Sequence, residues 1–154
     1  MHDFMDIAIE EAELGAKCGH GGPFGACVVR DGHVISRAHN RVVADADPTL
    51  HAEIQAISIA ARKLGRFDLS DCELYTSCEP CPMCLGAIYW ARIGKVFYAG
   101  DRNDAAEAGF DDRNFYEQME SGRLPEGLSL IQIGRDRALR AFRVWNEKPD
   151  KVPY

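Results

Sequence analysis

Residues 72–92 read CELYTSCEPCPMCLGAIYWAR, and the order of chemical character along them decides the fold. Cys72 to Thr76 form a short β-compatible run, CELYT, of the length and composition of a buried strand. Leu85 to Arg92, LGAIYWAR, are apolar and helix-forming. Between them lies CEPCPMC, with Cys78, Cys81 and Cys84 inside seven residues. A strand that runs through a cysteine loop into a helix is α/β construction, in which helices pack on the faces of a sheet.

The same alternation continues on either side. Upstream, Ile54, Ile57, Ala61 and Leu64 recur at helical spacing from His51 to Leu64, and Gly65 supplies a stop. Ala26–Arg30 and His33–Ala38 are β-compatible runs joined by Asp31-Gly32, a dipeptide that tolerates the positive φ of a tight hairpin turn. Met5, Ala8, Ile9, Ala12 and Ala16 mark a first helix with Asp3 as its N-cap, ended by Gly19, Gly21 and Gly22. Downstream, Lys95–Ala99 predicts a strand, the acidic stretch after it irregular or short-helical structure, Leu128–Ile133 a last strand, and Ala138, Ala141, Phe142 and Trp145 one side of a final helix. These elements predict an α/β sandwich with helices on both faces of one sheet.

At 154 residues the chain has the length of one domain with a core of its own, so a single domain over residues 1–154 is expected. A composition of 46% hydrophobic and 27% charged residues is that of a folded soluble protein rather than a disordered one. Charges interrupt every apolar segment before it reaches membrane-spanning length, and acids stand where a secretion signal needs bases. A cytoplasmic protein with no membrane partner is therefore expected. The net charge of −6 opposes a phosphate backbone, so nucleic acid is disfavoured as a partner. The charge is uneven: residues 135–154 hold six bases against three acids, the pattern of a solvated helix face.

Six cysteines in a reducing compartment point to metal or catalysis rather than disulfides. Cys18, Cys27 and Cys72 stand apart in apolar surroundings and read as small core residues. Cys81 and Cys84 are three apart at a predicted helix start and can direct both sulfurs to one ion. The proline between them costs little in a first turn, and the positive helix end favours thiolates. His51, also at a helix start, is a third ligand of a kind zinc accepts. Glu53 lies about 200° around the helix from His51, so it suits proton transfer beside the metal rather than chelation. Three protein ligands leave a fourth position to water, which zinc acidifies toward a pKa of about 7. That combination is hydrolytic. Cys78 could instead close the site as Cys3His, although its place before the Glu79-Pro80 turn can point it elsewhere.

His-x-Glu followed by Pro-Cys-x-x-Cys is a signature of zinc nucleobase deaminases. Around it, GGPFGA, Asn40, DPTLHAE, LYTSCEPCPMCLGAIYWAR, DAAEAGFDD and a terminal tyrosine resemble the bacterial guanine deaminases of the cytidine-deaminase superfamily over nearly the whole chain. The resemblance implies a three-layer α/β/α sandwich around a single mixed five-stranded sheet. It implies one zinc per subunit on His51, Cys81 and Cys84, with Glu53 and Asp112 as catalytic residues. Phe24, Asn40, Ala52, Trp90, Asp112 and Tyr154 would contact the substrate, a small purine converted from guanine to xanthine. It also implies a homodimer whose C-terminal tail, about residues 146–154, crosses to close the partner's site. The competing readings are a tRNA wobble-adenosine deaminase, supported by the arginine-rich Arg135–Arg143 helix, and a non-catalytic zinc-stabilised module, which would have no use for Glu53.

Overall fold

The structure, a computed structural model, describes residues 3–154. The elements in chain order are α1 (Phe4–Lys17), β1 (Gly25–Arg30), β2 (His33–His39), α2 (Ala52–Leu64), β3 (Glu73–Cys78), α3 (Pro82–Trp90), β4 (Lys95–Gly100), α4 (Arg102–Glu107), α5 (Asp112–Glu120) and α6 (Arg135–Glu147). The local signals act as the sequence predicts. The Asp3 side chain accepts from the Met5 N–H and starts α1. Asp31 and Gly32 both take positive φ in the β1–β2 turn, as a two-residue hairpin of this hand requires. Gly65 closes α2 in the left-handed conformation, at φ 65°.

The strands form one mixed sheet in the order β2-β1-β3-β4. β1 is antiparallel to both of its neighbours, and β3 and β4 are parallel. Alternation along β1 separates the two faces. Ala26 and Val28, with Leu74 of β3, pack into a cluster with Ala52, Ala56 and Ala60 of α2 and Ile88 of α3. Gly25 and Cys27 turn the other way, where the Cys27 thiol donates to the Phe4 carbonyl of α1. α1 thus covers one face, and α2 and α3 cover the other. The alanines of α2 keep that helix close to the sheet, so its N-terminus comes over the end of β3 where the cysteine loop begins.

The expected fifth strand is absent among the described residues: the sheet has four. Leu128–Ile133 has no regular structure, and Leu128, Leu130, Ile131 and Ile133 are exposed. An apolar run becomes a strand only where another strand pairs its N–H and C=O groups, and no ladder reaches this segment. The acidic stretch after β4 forms two short helices, α4 and α5, within the range that its composition allowed.

β1 approaches α1 closely at Gly25, where an added Cβ would meet the Ala8 carbonyl oxygen at 2.1 Å and the Ala12 nitrogen at 2.4 Å. Both are helix backbone and cannot swing aside. Gly25→Ala is expected to push α1 off the sheet and cost about 1–3 kcal/mol of stability, read as a lower Tm in thermal unfolding. An unchanged Tm would contradict this packing.

Candidate active site

Two helix starts converge on one corner of the molecule. His51 is the N-cap of α2 and Cys81 the N-cap of α3, with Pro82 at the first helical position and Cys84 two residues further. Free backbone N–H groups at helix starts carry partial positive charge that favours nearby anions. The His51 Nδ1 lies 3.5 Å from the Sγ of Cys81 and 3.5 Å from the Sγ of Cys84, and all three ligand atoms fall within 4.8 Å of one another. A tetrahedral zinc, with Zn–S about 2.3 Å and Zn–N about 2.0 Å, holds sulfur and nitrogen ligands about 3.5 Å apart. The donor set and its spacing both fit that ion. The two thiols are electrostatically unequal: the neighbouring Cys84 thiol and the His51 contact draw Cys81 down, while the proximity of Cys81 and burial push Cys84 up. A cation shared by both removes that inequality.

Cys78 stands outside the group. Its thiol donates to the Asp101 carbonyl at 3.5 Å, and burial pushes its pKa up to about 12. The sulfur is thus a neutral part of the wall. Among the described residues, His51, Cys81 and Cys84 form the one cluster with metal-ligand spacing.

The acid–base groups surround this corner. Glu53, in the first turn of α2, is 5% exposed, and burial raises its pKa, so its carboxyl takes up a proton more readily than a solvated one. Its Oε1 accepts from the Thr76 hydroxyl at 3.2 Å, and its Oε2 lies 3.4 Å from the Cys84 sulfur. Asp112, the first residue of α5, is also raised, first by burial and then by the negative charge of Cys81. Two carboxyls with elevated proton affinity therefore flank the metal corner, the pattern expected where protons are moved.

A cavity of about 230 Å³ opens onto these groups, lined by Phe24, Asn40, His51, Glu53, Phe110 and Asp112 among others. Asn40 is buried, and its Oδ1 accepts from the Val42 N–H at 3.1 Å. It therefore both caps the turn and faces the cavity. Gly21 makes room for it, since a Cβ there would fall 2.0 Å from that Oδ1. Phe24 meets Phe110 edge to face at 4.8 Å between centroids, which forms an apolar wall suited to a flat ring.

Three of the residues expected at the substrate do not line this cavity. Ala52 is wholly buried in the core. Trp90 is 61% exposed and Tyr154 69% exposed, and they pack on each other at 5.7 Å, with Phe67 also 6.1 Å from the Tyr154 ring. Neither lines the cavity of its own chain. Sequence reasoning missed Phe110 and Glu79, which do. Phe110 stands in the quoted EAGFDD and Glu79 in CEPC, so the motifs were visible while the place of these two residues on the cavity wall was not.

Residues 1–100 match the family described as cytidine and deoxycytidylate deaminase zinc-binding region. Guanine deaminase of Bacillus subtilis is 46% identical over 98% of this chain and 97% of its own length. A tRNA-specific adenosine deaminase of Agrobacterium fabrum is 37% identical over 90% of this chain and 91% of its own. A crystal structure of guanine deaminase from Bacillus subtilis superposes with a TM-score of 0.91 at 45% identity, covering 100% of this chain and 99% of that one.

Metal analysis of desalted protein should separate the cysteines by role. Cys78→Ser is expected to keep the wild-type zinc content, and Cys84→Ser to lose most of it. Loss of zinc from both variants would place Cys78 among the ligands.

Proposed function

The chain belongs to the cytidine and deoxycytidylate deaminase zinc-binding family, and from that premise we propose that it hydrolyses guanine to xanthine and ammonia. The observation that carries the reading is the pairing of a metal corner with two carboxyls, Glu53 and Asp112, across one small cavity. Bound at His51, Cys81 and Cys84, zinc supplies the Lewis acidity that makes water a nucleophile near neutral pH. Glu53 removes a proton from the attacking water as its oxygen adds to C2 of the purine, and passes that proton to the ring nitrogen N3. The remaining hydroxyl proton then goes to the amino group, the C–N bond breaks, ammonia leaves and C2 becomes a carbonyl. Asp112 accepts a hydrogen bond from that amino group and steadies it through the transfer. Asn40 can both donate to and accept from the polar edge of the base, while Phe24 and Phe110 hold its face.

The 37% identity to a tRNA-specific adenosine deaminase favours a second reading, in which the substrate base belongs to an RNA. The cavity counts against it. It holds only about 230 Å³, a space suited to one free base, and the net charge of −6 opposes a phosphate backbone.

The C-terminal region supports a homodimer. No residue of α6 is buried, and Phe142, Val144, Trp145 and Val152 are exposed along with the apolar side chains of Leu128–Ile133. Uncovered apolar surface on that scale marks an interface. The chain is one deaminase domain over residues 1–154 whose tail, residues 146–154, reaches a second copy. There Tyr154 closes the neighbouring site, the role it lacks in its own.

A panel of free bases, nucleosides and tRNA incubated with zinc-loaded protein, with products separated by chromatography, tests the substrate. Xanthine from guanine is the expected result; inosine in tRNA with guanine untouched would overturn the reading. Glu53→Gln and Asp112→Asn should each retain zinc, the former losing about 10²–10⁴-fold in kcat. Deleting residues 146–154 should lower kcat/KM, and full-length Glu53→Gln subunits should restore activity to the truncated ones on mixing. Failure to complement would exclude the exchanged tail.

A further inference from the structure

α5 carries Asp112 at its first position, yet it is a thin support. Of its nine residues only Tyr116 is buried. Tyr116 is four residues after Asp112, so the two side chains share one face of the helix. The Tyr116 hydroxyl donates to the Pro80 carbonyl, immediately before the ligand Cys81. Burial pushes the phenol up to about 12, so it remains a donor throughout the neutral range.

The other side of the Tyr116 ring is covered by Arg102 of α4, whose guanidinium carbon sits 3.7 Å from the ring centroid. The same guanidinium donates to Glu79 at 2.7 Å through Nη2 and 3.2 Å through Nε. The Arg102 backbone N–H donates to Glu79 Oε2 at 3.0 Å, and the Glu79 N–H donates to the Gly100 carbonyl at 2.8 Å. The Glu79-Pro80 turn is therefore gripped at its carboxylate by α4 and at its carbonyl by α5. Tyr116 and Arg102 do not line the cavity, so their influence on a substrate there passes through other groups.

We propose that Tyr116, bonded to Pro80 and covered by Arg102, is a positioning residue that fixes how far Asp112 reaches over the metal loop. This rests on the reading of Asp112 as the group that meets the departing amine. The phenol–carbonyl bond ties the helix bearing Asp112 to the loop bearing Cys81, so the carboxyl and the metal corner move as one body. Without it, α5 can shift outward by a fraction of an ångström. The hydrogen bond to the amino group is then lost while the three ligands stay in place. Turnover suffers and zinc does not.

A double-mutant cycle tests this. Tyr116→Phe, with Arg102→Lys as a second and milder break of the same clamp, is made alone and together with Asp112→Asn, and zinc content, kcat and KM for guanine are measured. The single variants should lose about 10- to 100-fold in kcat, with zinc content and KM unchanged. In the Asp112→Asn background they should lose almost nothing further. Equal losses in both backgrounds, losses carried by KM or zinc content, or no loss at all would overturn the proposal while leaving the role of Asp112 standing. Full activity of Asp112→Asn alone would overturn that role, and this inference with it.

Discussion

Two sulfurs and an imidazole share a corner in which the cysteines are almost wholly withdrawn from solvent: Cys84 is 0% exposed and Cys81 6% exposed. Burying two thiolates side by side is prohibitive without compensation, because each loses its hydration and repels the other. A cation between them, with helix N-termini pointing inward, turns that cost into binding energy. Much of the chain's architecture follows from the need to bring α2 and α3 together at that point. β3 delivers the loop, the alanine face of α2 lets His51 approach it, and Pro82 starts α3 without sacrificing a needed N–H.

The same corner explains the chemistry around it. Burial that favours a metal also raises the proton affinity of Glu53, so the carboxyl can take a proton and return it. Asp112, raised first by burial as well, acts from a helix outside the sandwich. The protein thus places one of these carboxyls within its core and the other on a peripheral element. This division makes the clamp between α5 and the metal loop matter. The cavity between them is smaller than the pockets that hold drug-sized ligands, about 300 Å³ upward, and one flat heterocycle suits it.

The sequence was most legible where chemistry and local geometry coincide. His51, Glu53, Cys81 and Cys84 could be placed because ligand type, three-residue spacing and helix-start signals all agreed. The hairpin at Asp31-Gly32 and the stop at Gly65 were readable because positive φ has few suitable residues. Leu128–Ile133 misled because alternating apolar residues specify a strand only if an edge is available, a property of the whole fold rather than of six residues. Phe110, Glu79 and the Tyr116–Arg102 pair were not legible as parts of a site, since their orientation depends on where α4 and α5 settle after β4. Trp90 and Tyr154 were legible only through resemblance, and within one chain they pack against each other instead of the cavity.

Hydrolysis at this site requires a metal with three protein ligands and a fourth position open to water. X-ray absorption at the zinc edge of the loaded protein measures this directly. It should find two sulfur scatterers at about 2.3 Å and two nitrogen or oxygen scatterers at about 2.0 Å, one of them exchangeable. A third sulfur, or four ligands that all come from protein, would mean a closed structural site and would contradict the catalytic reading.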